Sequence, residues 1–199
     1  SPYRESSNLY DAIAKGFGKI TFIHKGIKSN KKSNSLELFC PYKINWSGKS
    51  DIKFIRDFES IEKLNLLPKH NIIGMYFNEI MYYLTKNDYR IEKLYDHYDN
   101  SLRNLKYSND LLANLNNYEI GILLLTGHYL VFDTDINGNE IDCKKKYSYL
   151  PDFGPKIVSG DKDTYSGETL IALSGQQPYN SKSIKESRLL MKRLIDYYI

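Results

Sequence analysis

The sequence predicts an α+β protein, in which a small amino-terminal β-domain precedes a helical domain. Before residue 60 the apolar residues come in short bursts rich in β-branched and aromatic side chains, separated by glycine and lysine clusters. After Pro68 the apolar residues recur at helical spacing. The 199 residues suffice for one large domain or two small ones, and the change of period predicts domains at 1–60 and 61–199.

Four of the apolar bursts are predicted to be β-strands. They cover residues 9–13, 19–24, 36–46 and 51–58. Residues 16–18 and 47–50 contain glycine and supply tight connections. Four or more antiparallel strands within 60 residues favour a small closed barrel, and the oligonucleotide-binding (OB) fold is a common barrel of that size. A short β-sandwich is the alternative.

The remainder of the chain predicts helices and one long irregular insertion. The first three helices have their apolar positions within 72–84, 91–105 and 111–124. Residues 133–160 lose all periodicity and are rich in Gly, Asp, Lys and Pro, so they predict the irregular insertion. Ser166 opens a short helix. Residues 181–198 form a last amphipathic helix, with Ser181 or Ser183 as its cap.

The positive charge is concentrated near the amino terminus. The chain has a formal net charge of +4, but residues 1–34 alone hold seven basic and two acidic residues. The rest of the chain is therefore about neutral, and the basic region favours an anionic partner. The basic residues concerned are Arg4, Lys15, Lys19, Lys25, Lys28, Lys31 and Lys32.

Residues 25–32 hold four of these lysines, a density that suits phosphate binding. A solvated basic turn is the alternative, since such turns also occur in proteins without an anionic partner. Tyr10, Phe17 and Phe22 are candidates for stacking on nucleic-acid bases. Strand alternation places Phe22 in the core instead.

The sequence offers no catalytic residues, no metal site and no cofactor site. Cys40 and Cys143 make neither a disulfide framework nor a four-ligand zinc set, which fits a reducing cytoplasm. The four histidines are scattered, without ligand spacing. No phosphate-cradling loop and no nucleophile elbow occur. Asn78 and Glu79 interrupt an apolar helical face, and a structural polar role there is favoured over acid–base chemistry.

No membrane partner is expected either. The longest apolar run, residues 120–125, is far shorter than the roughly 18 residues of a membrane span. The first five residues are too polar for a signal peptide.

Several segments, in the right order along the chain, resemble the RecO family. Ser1-Pro2-Tyr3-Arg4-Glu5-Ser6-Ser7, then Gly18 and Lys25-Gly26, are similar to the family's amino-terminal barrel. Tyr76-Phe77-Asn78-Glu79-Ile80 resembles the signature of its first long helix. Trp46-Ser47-Gly48-Lys49, Leu94-Tyr95 and Tyr118-Glu119 match further segments.

This resemblance implies an OB-fold barrel packed on a helical domain, with one more strand upstream of residue 1. It also implies that 133–160 is a degenerate, zinc-free remnant of a ribbon, because Cys143 alone replaces the four cysteines of many relatives. Asn116 and Asn117 stand where relatives often have paired arginines.

The implied function is that of a non-enzymatic recombination mediator, nucleoid-associated in the bacterial cytoplasm. Such a protein binds single- and double-stranded DNA and anneals complementary strands. With RecR and RecF it promotes loading of RecA onto DNA coated by single-strand-binding protein (SSB). The seven basic residues of 1–34 would contact DNA, and the SSB tail would bind near Arg103, Lys106, Leu112, Leu115, Asn116 and Asn117.

Two other classes compete with this interpretation. A protein-interaction adaptor would have the same basic surface but only incidental affinity for DNA. A nuclease or helicase is disfavoured, because the sequence has neither a carboxylate cluster nor a nucleotide loop.

Overall fold

The computed structural model of the chain describes residues 7–25, 35–85, 90–160 and 162–199. The chain divides into two compact units, Ser1–Tyr107 and Ser108–Ile199. The structure is of the mixed α+β class that the sequence predicts, with two sheets and five helices among the described residues. A domain boundary at residue 60 stays a prediction.

The first unit contains one four-stranded sheet. Its strands are β1 (Ser7–Ala14), β2 (Gly18–Lys25), β3 (Tyr42–Ser47) and β4 (Ile52–Ser60), in the order β1-β2-β4-β3. The third strand begins later than predicted. Residues 35–41 are irregular, and Phe39 has φ of 58°, a left-handed conformation that cannot continue an extended strand.

The predicted closed antiparallel barrel is not confirmed. Among the described residues, β1 pairs only with β2 and β3 pairs only with β4, so the sheet is open. The central pairing of β2 with β4 is parallel, whereas the sequence was expected to give antiparallel neighbours throughout. The reason is topological: β3 forms an antiparallel hairpin with β4, which returns β4 beside β2 in the same direction.

Alternate residues of the strands form the core on one face of this sheet. Ile20, Phe22 and Ile55 are its buried residues, and Trp46 and Phe58 pack against them. Phe22 is 1% exposed, so its predicted place in the core is confirmed. Residues at positions i and i+2 of a strand share a face, which brings these side chains to one side of the sheet.

Two helices complete the first unit: α1 (Pro68–Leu84) and α2 (Leu94–Tyr107). Pro68 occupies the start of α1, where its missing N–H leaves no hydrogen bond unmade. α1 buries Gly74, Phe77 and Ile80 on one face. A Cβ atom at Gly74 would lie 2.8 Å from the Phe39 ring, so glycine permits this close approach.

The second unit combines three helices with a small antiparallel sheet. Its elements are α3 (Leu111–Leu125), β5 (Lys146–Leu150), β6 (Gly154–Val158), β7 (Tyr165–Ser166), α4 (Gly167–Leu173) and α5 (Ser183–Tyr198). The strand order is β6-β5-β7. α4 begins directly after Ser166, where the sequence predicts a short helix, and the Ser166 hydroxyl caps it by accepting a hydrogen bond from the Thr169 N–H.

The prediction of an irregular insertion at 133–160 is wrong in its second half. β5 and β6 form a regular hairpin there, and Tyr147 and Tyr149 of β5 are buried while their neighbours are not. This period-two alternation was present in the sequence but short, and the flanking lysines concealed it.

The cap of α5 also differs from prediction. Neither Ser181 nor Ser183 is the capping acceptor; the Asn180 side-chain oxygen accepts from the N–H groups of Lys182 and Ser183 at 2.9 and 2.8 Å. The Ser183 hydroxyl in turn accepts from the Asn180 N–H at 2.8 Å. This reciprocal pair satisfies helix N–H groups that have no partner within the helix.

Within the described part of the chain, none of the helices has the length and apolar composition needed to cross a membrane.

Candidate nucleic-acid interface

Two turns lie at one end of the first sheet, which we call the turn end. They are residues 15–17, between β1 and β2, and residues 48–51, between β3 and β4. Both lie at the same end because β2 and β4 run parallel, with Thr21 opposite Ile52. Gly48 has φ of 110°, a conformation that glycine adopts without strain.

A line of three aromatic rings runs from the core to the surface at the turn end. Phe17 is 54% exposed and meets Trp46 edge-on, with 5.2 Å between ring centroids. Trp46 meets the buried Phe22 in the same manner at 5.6 Å. Edge-to-face contacts stabilise such an array and fix the rings in place. The outermost ring is therefore presented to solvent on a rigid support, which suits stacking on a nucleic-acid base.

Three lysines add cationic groups to the same sheet. Lys49 is exposed in the β3–β4 turn and has no ion-pair partner within the residues that the structure describes. The Lys53 ammonium donates to the carbonyl oxygen of Ser50 at 2.7 Å, so it sits over the same turn. The Lys25 ammonium lies 4.9 Å from the centre of the Phe54 ring. Together the groups offer aromatic faces and phosphate-binding cations on one sheet.

The predicted DNA contacts Lys15 and Lys19 are engaged within the protein. The Lys15 ammonium is 2.9 Å from the Asp96 carboxylate, and this hydrogen bond raises the pKa of Lys15. Lys19 is buried, and its ammonium donates to the carbonyl oxygen of Tyr82 at 3.1 Å. Lys19 therefore fastens β2 to α1. Of the predicted contacts that the structure describes, Lys25 is the one exposed without an ion pair.

The other predicted DNA contacts lie outside the described residues. These are Arg4, Lys28, Lys31 and Lys32.

Sequence reasoning missed Trp46, Lys49 and Lys53 as parts of the site. The turn at 47–50 was predicted, but only as a connection. Its place beside Phe17 follows from the parallel pairing of β2 and β4, which local sequence patterns do not encode.

In the predicted SSB-tail site, Asn116 is fully buried. Its side-chain nitrogen donates to the Ser187 hydroxyl, and its oxygen accepts from Arg188, both at 2.8 Å. Arg188 also grips the buried Glu119 carboxylate with two nitrogens, one of them at 2.9 Å. This cluster joins α3 to α5, and Asn116 belongs to it rather than to the surface.

The other predicted tail-binding residues lie nearer the surface. On α3, Leu112 and Asn117 are exposed and Leu115 is half-buried. Arg103 and Lys106 belong to the first unit. The Arg103 guanidinium bonds to Asp99 at 2.8 Å and to Glu62 at 3.0 Å, and these bonds raise its pKa. The Lys106 ammonium lies 5.3 Å from the ring of Tyr107.

Asn78 and Glu79, the polar pair in α1, differ in their surroundings. The Asn78 side-chain oxygen accepts a hydrogen bond from the Tyr98 hydroxyl, which joins α1 to α2. Burial raises the pKa of Tyr98, so that hydroxyl stays protonated and remains a donor. Glu79 is exposed. Over the described ranges, no group of three or more metal-ligating side chains comes together.

Fold and site together define an α+β protein whose open amino-terminal sheet carries a basic and aromatic surface. Residues 68–199 match the family described as recombination protein O, C-terminal. The chain belongs to the RecO family.

Curated relatives extend the match over nearly the whole chain. DNA repair protein RecO of Coxiella burnetii (strain RSA 493 / Nine Mile phase I) is 32% identical over 198 residues, which cover 96% of this chain and 85% of the relative. DNA repair protein RecO of Polynucleobacter necessarius is 28% identical and covers 100% of this chain and 86% of the relative. DNA repair protein RecO of Pseudoalteromonas translucida is 28% identical, and the match covers 98% of this chain and 87% of the relative.

Proposed function

We propose that this chain is a non-catalytic recombination mediator that binds single- and double-stranded DNA and anneals complementary strands. The observation that carries the proposal is the turn end, where the exposed Phe17 ring lies on Trp46 and the cation of Lys49 is exposed in the adjoining turn. Relatives bear the name DNA repair protein RecO, which supports a role for this chain in DNA repair.

Annealing requires no covalent chemistry. Two DNA strands repel each other through their phosphates, and bound lysines lower that repulsion by replacing condensed counterions. The charge is unevenly placed: the first unit holds 18 basic and 12 acidic residues, whereas the second holds 10 basic and 12 acidic residues. The first unit is therefore the one that suits an anionic strand.

We propose further that the open sheet forms part of an OB-type barrel. The strand order β1-β2-β4-β3 leaves the edges of β1 and β3 for a fifth strand. A cavity of about 660 Å³ borders β1 and is lined by Tyr10 and Ala12 from one face and by Asp11 and Ile13 from the other. The rest of the lining comes mainly from residues 36–44 and from α1 and α2, so the cavity lies between these segments and β1. An experimental structure in which a strand joins the two edges would support the barrel; one with the sheet open would contradict it.

The proposed partners are RecR, RecF, RecA and the SSB tail. The tail of SSB would lie on the α3 surface formed by the exposed Leu112 and Asn117 and the half-buried Leu115. An acidic peptide with an aromatic end requires an apolar surface with donors at its margin, and that surface has this composition.

The test of this function is annealing of two complementary oligonucleotides, labelled with donor and acceptor dyes and followed by energy transfer. The wild-type chain should accelerate annealing without ATP or metal. Phe17→Ala should weaken single-strand binding about tenfold, since base stacking contributes about 1–3 kcal/mol per base. Tyr107→Ala removes a ring that is more exposed than Phe17, 73% against 54%, and lies outside the turn end, so it serves as the control. If the wild-type chain neither binds nor anneals DNA, the proposed function is wrong, and the protein-interaction adaptor is favoured instead.

A further inference from the structure

One arginine of the first sheet has no opposite residue in the strand ladder. We propose that Arg56 of β4, with its guanidinium held by Ser47 of β3, binds a backbone phosphate of a single nucleic-acid strand. The inference rests on the proposed function and deepens it, since it assigns a phosphate-binding role to a residue that neither charge clustering along the chain nor the turns indicate.

Arg56 is the extra residue of a β-bulge. The β3–β4 register pairs Asn45 with Asp57 and then Trp46 with Ile55. Arg56 is therefore opposite no residue of β3. Bulges redirect a side chain and are frequent beside functional sites. Here Ile55 remains in the core, whereas Arg56 is exposed to solvent.

The Arg56 guanidinium is held in place by a single hydrogen bond. Its Nε donates to the Ser47 hydroxyl oxygen at 2.7 Å. Within the residues that the structure describes, its two terminal nitrogens, Nη1 and Nη2, make neither an ion pair nor a hydrogen bond. A guanidinium fixed at Nε presents these nitrogens as a fork, which is the geometry that binds two phosphate oxygens at once. Because the side chain is already ordered, binding costs less conformational entropy.

Overall charge does not single out this site, because residues 42–60 hold four basic and three acidic residues. The placement of the acidic groups leaves the fork accessible. The Asp57 carboxylate accepts the N–H of the following residue at 2.9 Å, and no ion pair joins it to Arg56 in the described part of the chain. Glu59 is directly opposite Lys43, a pair of opposite charges. The bond to Ser47 directs the guanidinium toward the turn end, away from both carboxylates.

Direct neighbours connect the guanidinium to a second cation and to the aromatic rings of the turn end. Ser47 is opposite Phe54, and the Lys25 ammonium lies 4.9 Å from the centre of the Phe54 ring. The residue before Ser47 is Trp46, which contacts the exposed ring of Phe17. This arrangement suits one strand that binds its phosphates to the two cations and stacks a base on the outermost ring.

The test measures the affinity of the whole chain for a single-stranded oligonucleotide at several salt concentrations. Arg56→Gln should weaken binding about tenfold, because it removes a charge-assisted contact. It should also reduce the slope of log K against log salt concentration by about 0.7, the contribution of one phosphate. Arg56→Lys keeps the charge but not the fork, so we expect an unchanged slope and an affinity between those of the wild type and Arg56→Gln.

Ser47→Ala tests the positioning of the guanidinium. It leaves the charge unchanged, so we expect weaker binding at an unchanged slope, and no further loss when it is combined with Arg56→Gln. The control, Lys69→Gln, removes one charge from an exposed position of α1 in the same unit and should bind DNA as the wild type does. Thermal unfolding of each variant verifies that the sheet remains folded.

The outcomes are distinguishable from failure of the proposed function. If the wild-type chain does not bind single-stranded DNA, the proposed function fails. If the wild-type chain binds DNA and Arg56→Gln binds it with the same affinity and slope, the phosphate contact alone is contradicted. An equal loss with Lys69→Gln would mean that overall charge, not the placement of Arg56, governs binding, and this too would overturn the inference. Wild-type affinity of Ser47→Ala would contradict positioning by the hydroxyl.

Discussion

At the scale of single residues, Arg188 and Glu119 form a largely buried ion pair in the second unit. Glu119 is fully buried, and Arg188 is mostly buried beside it. A buried carboxylate without a partner is expensive, because the interior does not solvate its charge. Stable packing of α3 against α5 therefore requires both members of the pair.

Arg188→Met should lower the free energy of unfolding by about 3–5 kcal/mol, because it leaves Glu119 buried without its cation. Urea titration followed by circular dichroism measures this. Arg193→Met, at an exposed position of the same helix, should change stability by less than about 0.5 kcal/mol. Adding Glu119→Gln to Arg188→Met should recover part of the loss; no recovery would show that the charge of Glu119 is not the cause.

His128 should make stability depend on pH. Its ring centroid lies 4.1 Å from that of Tyr198, and burial lowers the pKa of His128 below its ordinary value of 6.5, with Asp152 opposing the shift. The unfolded chain then binds the proton more readily, so stability is full above pH 6.5 and falls as the pH drops toward the folded-state pKa. His128→Phe keeps the ring contact and should flatten this part of the pH profile. If the stability of His128→Phe depends on pH as the wild type does, another titratable group causes this dependence.

At the scale of elements, the close contact between α1 and residues 35–41 tests the packing of the first unit. Gly74→Ala should raise helix propensity by about 1 kcal/mol, but the new Cβ would lie 2.8 Å from the Phe39 ring. Overpacking costs about 1–3 kcal/mol, so we expect a net loss of stability. The double variant Gly74→Ala, Phe39→Leu should be closer to the wild type in thermal unfolding. A single variant more stable than the wild type would contradict the contact.

The α3 surface gives a prediction about the SSB tail. Asn117→Arg should tighten binding of an SSB-tail peptide, because Asn117 is exposed and a charge-assisted hydrogen bond contributes about 1.5–3 kcal/mol. Asn116→Arg should instead destabilise the fold, because Asn116 is buried against Ser187 and Arg188. Fluorescence anisotropy of a labelled peptide separates the two effects. No gain with Asn117→Arg would place the tail on another surface.

How far the sequence predicts an element depends on the length of its pattern. α1, α2 and α3 each repeat an apolar face over several turns, and their approximate positions were predictable. β5 is five residues long, which is too short for its alternation to stand out between lysines. The cap at Asn180 was missed because three polar residues there compete for one role.

At the scale of the whole molecule, sheet topology is what sequence patterns could not provide. Phe17 was predicted as a candidate for base stacking, but its contact with Trp46, and the position of the Lys49 turn at the same end of the sheet, depend on the parallel pairing of β2 with β4. The buried place of Lys19 follows from the packing of α1 on the sheet, which charge counting along the chain does not show.

The measurement that tests the central claim most directly is the salt dependence of single-stranded DNA binding by the whole chain. Each phosphate neutralised contributes about −0.7 to the slope of log K against log salt concentration. The variant Lys25→Gln, Lys49→Gln, Lys53→Gln should therefore reduce the wild-type slope by about 2 units and weaken binding to all sequences alike. The α5 variant Lys185→Gln, Lys192→Gln, Arg193→Gln should leave that slope unchanged. An equal slope for the wild-type chain and the sheet variant would contradict the claim that the first sheet binds DNA.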